Sequence, residues 1–321
     1  LLLPMDSRGA LEARQAIARS LSDFRGMDVD PENILLGAGT DFLYNLLLQL
    51  LGQDKVYAVE DPGYGKIRKI YAAGGVTCLS VPMDASGIRP DCLGDARVLH
   101  LSPAHHFPTG LVTPLHRRRA LIDWAQRVDG FIIEDDYDTE FRFQGRPLAP
   151  MQTMDPERVI YMNTFSKTLS PSIRISYMVL PQALMARFRE KLGFYGCTVP
   201  SFEQYTLAYF LDRGYFEKHI NRMRKFYRAR RNRVIAMLEH CLAADKLTIL
   251  EQDAGLHFLL KVETALDDRA LTALFAQSGL HVQPLSSFHT YPTEDCRGML
   301  VINYSAVDER ALEEGLGKLE I

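Results

Sequence analysis

Apolar residues along this chain follow two alternating rhythms. Helical spacing runs over residues 10–24 through Leu11, Ile17, Ala18 and Leu21, breaks at Gly26, and returns over 42–51, 64–73 and 114–128. Between these stretches lie short apolar runs of strand length, at 33–36, 56–60, 76–81, 97–101, 131–134, 159–163 and 173–180. Strands alternating with helices predict an α/β unit with a mainly parallel sheet flanked by helices, whose ligands belong at the carboxyl ends of the strands. Tyr64, His105, Asp135 and Lys167 all fall just past such ends. Residues 201–242 are helical in pattern, interrupted only by Gly214, and from Leu247 onward strands at 247–250, 256–262 and 299–304 with helices at 267–278 and 308–319 predict a smaller α+β lobe. The expected organisation is an N-terminal segment, 1–32, packing on the small domain, a large domain at 33–240 and a small C-terminal domain at 241–321.

Bulk composition narrows the class without naming a function. With 321 residues and 47% hydrophobic content the chain can bury a large core, and division into two lobes is expected because single cores stop growing near ~250–300 residues. Lys and Arg (37) nearly balance Asp and Glu (40), so the net charge of -3 gives no overall basic field for nucleic acid. One local basic run, Arg222 to Arg233, reads as the solvated face of an amphipathic helix or as a docking face for an acidic partner or a DNA-binding module. The five cysteines lack CxxC spacing, which argues against a zinc site or a disulfide framework and favours a reducing cytoplasm. No apolar run approaches the ~20 residues of a membrane span, and Leu1 to Pro4 is too short for a signal peptide. Without an initiator methionine the chain reads as a piece of a longer protein.

The densest chemistry lies in Thr164-Phe165-Ser166-Lys167-Thr168-Leu169-Ser170-Pro171, followed by Arg174 and preceded by the acidic cluster Glu134-Asp135-Asp136-Tyr137-Asp138. A lysine between two buried strands, beside hydroxyls and an arginine, meets the demands of an aldehyde cofactor that carries a phosphate. The amine must be neutral to form a Schiff base, the phosphate needs hydroxyls, backbone amides and a guanidinium, and a carboxylate must keep a pyridine nitrogen protonated. Those demands name pyridoxal 5'-phosphate. A second phosphate contact is offered where a strand at 33–36 runs through Gly37-Ala38-Gly39-Thr40-Asp41 into a helix, although a helix cap with no ligand explains that turn equally well.

These segments, with Glu60-Asp61-Pro62-Gly63-Tyr64, Ser102 to Gly110 and the run from His219 to Arg231, resemble the fold type I pyridoxal phosphate enzymes. Among these, the resemblance is to the aminotransferase-like domain of MocR-type regulators of the GntR family. It implies a large mainly parallel domain plus a small α+β domain, and a homodimer whose sites lie at the shared interface. Asp135 is implied as the partner of the pyridine nitrogen, Tyr137 of the ring hydroxyl, and Tyr64 as the stacking face. The phosphate falls to Gly39, Thr40, Asp41, Thr164, Ser166 and Arg174, with His105 counted among the cofactor contacts.

Two departures from the enzymes of this fold stand out. Phe107 holds the place before Pro108-Thr109-Gly110 where those enzymes commonly carry an asparagine, and Val301 holds the place of the arginine that fixes a substrate carboxylate. Arg297, Lys66 or Arg68 are the substitutes in sequence. Loose positioning lowers transamination rates steeply. A sensor of pyridoxal phosphate or of an amino compound is therefore the leading reading, with DNA contacted only through an N-terminal winged-helix module absent here. The rival is an aminotransferase working on an amino acid and a 2-oxo acid. A hydrolase using Ser166 and Lys167 is disfavoured, since neighbours in sequence lack an activating spacing.

Overall fold

The computed structural model describes residues 5–143, 148–241, 246–250, 253–291 and 294–319. The sequence readings on Leu1 to Pro4 and Leu242 fall outside them. The large sheet contains β1 (Ile34–Gly37), β2 (Tyr57–Asp61), β3 (Cys78–Asp84), β4 (Gly87–Ile88), β5 (Val98–Leu101), β6 (Phe131–Asp136), β7 (Val159–Thr164) and β8 (Ser176–Val179). Their order is β1-β8-β7-β6-β5-β2-β3-β4. The five central strands, β7-β6-β5-β2-β3, are parallel, and β1, β8 and β4 pair antiparallel at the two ends. The small sheet is antiparallel, in the order β11-β12-β10-β9, from β9 (Leu247–Leu250), β10 (His257–Val262), β11 (Gln283–Pro284) and β12 (Met299–Asn303).

Strand alternation sorts side chains to the helices on either face. On one face Leu35, Ile133, Ile160 and Met162 pack under α2 (Thr40–Leu51), α3 (Gly65–Ala73) and α6 (Gln182–Lys191). Ile34, Leu36, Tyr161 and Val179 point the other way, to α1 (Leu11–Arg25) and α7 (Ser201–Asp212), while Leu99, Ile132 and Val159 meet α4 (Leu115–Arg127). α1 therefore lies on the large sheet, where Ala13, Ile17 and Leu21 bury their stripe against α7 and β1, and not on the small domain as the sequence reading placed it. The stripe on α1 matches the apolar alternation of β1, which is its neighbour in sequence.

The 27-residue helix α8 (Tyr215–Cys241) joins the lobes. Phe216 and Ile220 sit in the large-lobe core, and Val234 and Leu238 pack with Phe258, Leu300, α9 (Asp268–Gln277) and α10 (Glu309–Leu316) in the small one. Its basic run is a solvated face only in part, since Arg222, Lys225, Arg228 and Arg233 are exposed while Arg224, Arg230 and Arg231 turn onto the protein. Arg224 donates to the Glu140 carbonyl, Arg230 to the Ser305 and Val307 carbonyls, and Arg233 to Glu309 at 2.7 Å, while Arg231 lies 5.0 Å over the Phe143 ring. All five cysteines are unbridged, and no described helix is long and apolar enough to cross a membrane.

Candidate functional site

The carboxyl ends of β2, β5, β6 and β7 meet the start of α2 around a cavity of about 370 Å³. Lys167 reaches it through a local device. The Thr164 hydroxyl accepts the Ser166 N–H at 3.2 Å and opens the one-turn helix α5 (Phe165–Thr168), which lifts the lysine clear of β7. Lys167 is exposed to the cavity and makes no hydrogen bond or ion pair among the described residues. The other cations of the wall are committed. Lys66 Nζ is 2.6 Å from Asp41, Arg174 donates to the Ala38 carbonyl at 3.3 Å and stands 3.9 Å from Asp41, and Arg68 donates to Ser80 and Thr290.

Asp135 faces the same space because it shares parity on β6 with Ile133, whereas Glu134 and Asp136 point to the opposite face. One carboxylate oxygen accepts from Tyr44 and lies 3.4 Å from His100 Nε2, whose Nδ1 is 2.6 Å from the Tyr71 hydroxyl. The other oxygen is buried with no partner among the described residues. Its neighbours on β6 are spoken for. Glu134 accepts the Met151 and Gln152 N–H groups at 2.9 and 3.0 Å, and Asp136 pairs with Arg25 and accepts from Tyr161 at 2.7 Å.

Opposite, Gly39 at φ +93° precedes α2, which has no side-chain cap, so the Thr40 and Asp41 N–H groups face the cavity end with no acceptor among the described residues. The Arg174 guanidinium packs over Gly39 so closely that a Cβ there would collide with it. Arg174 itself is left-handed, at φ +50°, which turns its side chain back toward Ala38 and Asp41. Thr164 lines the cavity, but its hydroxyl is spent on the Ser166 N–H and the Ser176 hydroxyl (2.8 Å). Tyr64 stands half exposed at the rim, edge-on to Phe107 at 5.9 Å, and Tyr137 lines the floor.

Two residues expected at the site are elsewhere. His105 does not line the cavity. Its Nδ1 is 2.9 Å from Asp138, its ring fills the space where a Cβ on Gly255 would sit, and it reaches the cavity only through the Tyr137 hydroxyl at 3.3 Å. It forms a group with Asp138 and His257 whose ligand atoms lie within 4.8 Å, a cluster that the spacing of cysteines could not reveal. Arg297 donates to the Ala265 and Leu266 carbonyls on the small lobe and takes no part in the wall. Val301 is buried among Leu259, Leu285 and Phe288, so β12 offers Asn303 in place of a guanidinium.

His100 and Glu60, in turn, line the cavity unannounced. Their signal was available: each is an ionisable residue within a largely apolar strand. Burial pushes the Glu60 carboxyl up to about 8 against the Ser102 N–H bond, and pushes Glu134 and Glu140 up to about 7. Burial also lowers His106 and His257 to about 3. Raised carboxyls give stability that is whole below their ordinary range and lost as pH rises toward 8, whereas the depressed histidines act in the opposite sense only below about 6.5. Stability of the chain without added ligand is therefore expected to fall by about 1–3 kcal/mol between pH 6.5 and 8, read as a falling melting temperature, with a shallower slope in Glu60→Gln. A flat or rising profile would contradict this.

A parallel-centred sheet with a small C-terminal lobe, and a lysine facing a buried carboxylate across the strand ends, define the aminotransferase fold. The chain belongs to the aminotransferase class I and II family, whose model matches residues 3–319. It is 37% identical to the uncharacterized HTH-type transcriptional regulator YdeL of Bacillus subtilis over 97% of this chain and 67% of that protein. It is 32% identical to the probable rhizopine catabolism regulatory protein MocR of Rhizobium meliloti, over 95% of this chain and 62% of that one. The chain thus spans roughly two thirds of the length of these regulators. Among solved structures, Pyrococcus horikoshii kynurenine aminotransferase matches with a TM-score of 0.82 at 24% identity, covering 99% of this chain and 81% of that one. The cofactor is pyridoxal 5'-phosphate, and the residues fit it. An unpartnered buried oxygen on Asp135, an uncapped helix start cradled by Gly39 and Arg174, and an unpaired lysine amine are the three functions it needs.

Proposed function

We propose that this domain holds pyridoxal 5'-phosphate through Lys167 and reads the cofactor or an amino compound for a transcription regulator whose DNA contact lies in an N-terminal winged-helix module. The observation that carries the reading is the division of labour among the cations. Lys167 is unpaired opposite Asp135, while Val301, matched in sequence to the carboxylate-fixing arginine of the enzymes, is buried among Leu259, Leu285 and Phe288. When bound, the cofactor supplies an aldehyde that captures primary amines and a ring that draws electrons.

The chain's own groups then divide as follows. Lys167 presents its amine, Asp135 offers its free oxygen to the ring nitrogen, Tyr137 meets the ring hydroxyl and Tyr64 covers one face. The Thr40 and Asp41 N–H groups at the start of α2, beside Gly39, receive the phosphate with Ser166 and Arg174. His105 orients Tyr137 from behind. Asn303 and the committed Arg68 leave little to hold a substrate carboxylate, which favours recognition over rapid turnover. A regulator of this type works if the ligand prefers one arrangement of the lobes, within a homodimer.

Titration with pyridoxal phosphate should give a visible band that borohydride abolishes, with the phosphopyridoxyl mass on the Lys167 peptide. Fast conversion of the bound aldehyde to pyridoxamine phosphate by common amino acids would instead favour the aminotransferase reading. Asp41 supplies a further check. Its carboxylate sits at the phosphate end, held by Lys66 and near Arg174. Asp41→Asn removes a like charge and frees both cations, so the cofactor should bind about threefold tighter at low salt, and less so at high salt. Weaker binding in Asp41→Asn would place the phosphate elsewhere.

A further inference from the structure

A second cavity, of about 240 Å³, lies between α1, the end of β7 and the start of α8. Its wall combines an apolar surface from Leu21, Phe24, Phe165, Phe216 and Ile220 with ionisable groups of both signs. Two polar atoms there are buried without a partner among the described residues, Glu140 Oε2 and Arg25 Nε. Each belongs to a side chain whose other end is anchored. Glu140 Oε1 accepts from Asn163 at 3.2 Å, and the Arg25 guanidinium tip is paired with Asp136. The free atoms are therefore held in place, one an acceptor and the other a donor.

We propose that this cavity is a ligand site, separate from the one containing Lys167, for a small primary amine that carries a hydroxyl or carboxylate oxygen and an apolar side chain. The ammonium group bonds Glu140 Oε2, the oxygen accepts from Arg25 Nε, and the side chain lies on Phe24, Phe165 and Phe216. Charge sets the order of preference. Asp23, Glu140 and Glu217 face the cavity against Arg224 and an Arg25 already paired with Asp136, so a cationic head is favoured and an acid lacking the amine is disfavoured. An amine lacking the oxygen leaves Arg25 Nε unpaired, which costs affinity. The volume admits a molecule of amino-acid size but no nucleotide or peptide. Thr164 lines both cavities, so a ligand here touches the segment that carries Lys167.

The test is calorimetry on the chain without added pyridoxal phosphate, using L-leucinol and L-leucine as probes and 4-methylpentanoate and 3-methylbutylamine as controls. One equivalent of leucinol or leucine should bind, with each control about tenfold weaker or worse; which probe binds better tells an amino alcohol from an amino acid. Glu140→Gln should weaken binding about tenfold, while Asp135→Asn in the other cavity changes it less than about twofold. Ser20→Trp, which fills the cavity from α1, should abolish binding and decides the matter if Glu140→Gln does not fold. Absence of binding by both probes overturns the proposal, as does binding that survives Ser20→Trp or that depends on Asp135 and not on Glu140. With no cofactor present, none of these outcomes depends on how Lys167 behaves.

Discussion

Lys167→Ala is expected to lose the visible band that the chain acquires with pyridoxal phosphate, and borohydride treatment should then leave no phosphopyridoxyl mass on any peptide. The reason lies in what surrounds the lysine. Capturing an aldehyde needs an amine whose nitrogen is free to attack, and a carboxylate paired with a lysine holds that amine away from other partners. Lys66, the other lysine of the wall, is in such a pair with Asp41, whereas Lys167 has none. Lys66 should therefore not rescue the variant. The helix start at Gly39 and the Arg174 guanidinium remain in Lys167→Ala, so the phosphate is still recognised and weak, reversible binding persists. Affinity should drop on the order of a hundredfold or more, measured by equilibrium dialysis. Asp135→Asn should behave differently, retaining the covalent mass on Lys167 while shifting the absorption spectrum, because it alters the ring's partner and leaves the amine in place. A wild-type adduct that maps to Lys66 would sink this account.

How much of this was legible depended on whether a residue's neighbours in space were also its neighbours in sequence. Strand ends were readable from apolar runs, and Tyr64, Asp135 and Lys167 follow directly from them to one cavity. Period-two alternation then separates Asp135 from Glu134 and Asp136, but the sequence does not say which parity faces the ligand; that is set by α2 lying over Leu35 and Ile133. His105 was misplaced because it lies four residues beyond β5, in a loop where no period applies, and its partners Asp138, Gly255 and His257 come from both lobes. Arg297 failed for the same reason, its acceptors being carbonyls some thirty positions earlier in the chain. The basic run on α8 has the spacing of a solvated face, and Arg222, Lys225 and Arg228 are exposed, yet Arg224 and Arg230 bond backbone carbonyls of other segments. A side-chain pattern cannot reveal an acceptor that every residue type possesses. Glu60 and His100 were hidden by the reverse error, since a run counted as apolar strand conceals the single polar residue that matters.

Asp136→Ala is expected to destabilise the chain by about 3–5 kcal/mol, the range for a buried ion pair that loses one member. Asp136 and Arg25 are both almost fully buried, and the carboxylate also accepts from Tyr161 and Thr139, so one substitution strands a guanidinium and two hydroxyls. Burial by itself would lower the Arg25 pKa; Asp136, followed by other acids nearby, outweighs it and keeps the guanidinium charged. Deprotonation is thus no escape from the lost partner. Melting should drop by roughly 10 °C, with Asp136→Asn between Asp136→Ala and wild type because its one amide oxygen still accepts from Tyr161. The pair ties α1 to the centre of the large sheet, so the loss should appear first as faster amide exchange in residues 11–25. Replacing both members, as in Arg25→Met with Asp136→Leu, removes the stranded charge and should recover much of the stability. A melting temperature for Asp136→Ala within a degree or two of wild type would mean that Glu140 takes over the pairing. Its carboxyl would then titrate well below about 7, since Asp136 is among the causes of its elevation and Arg25 opposes it. A single pH titration followed at Glu140 would show whether it has taken over the pairing.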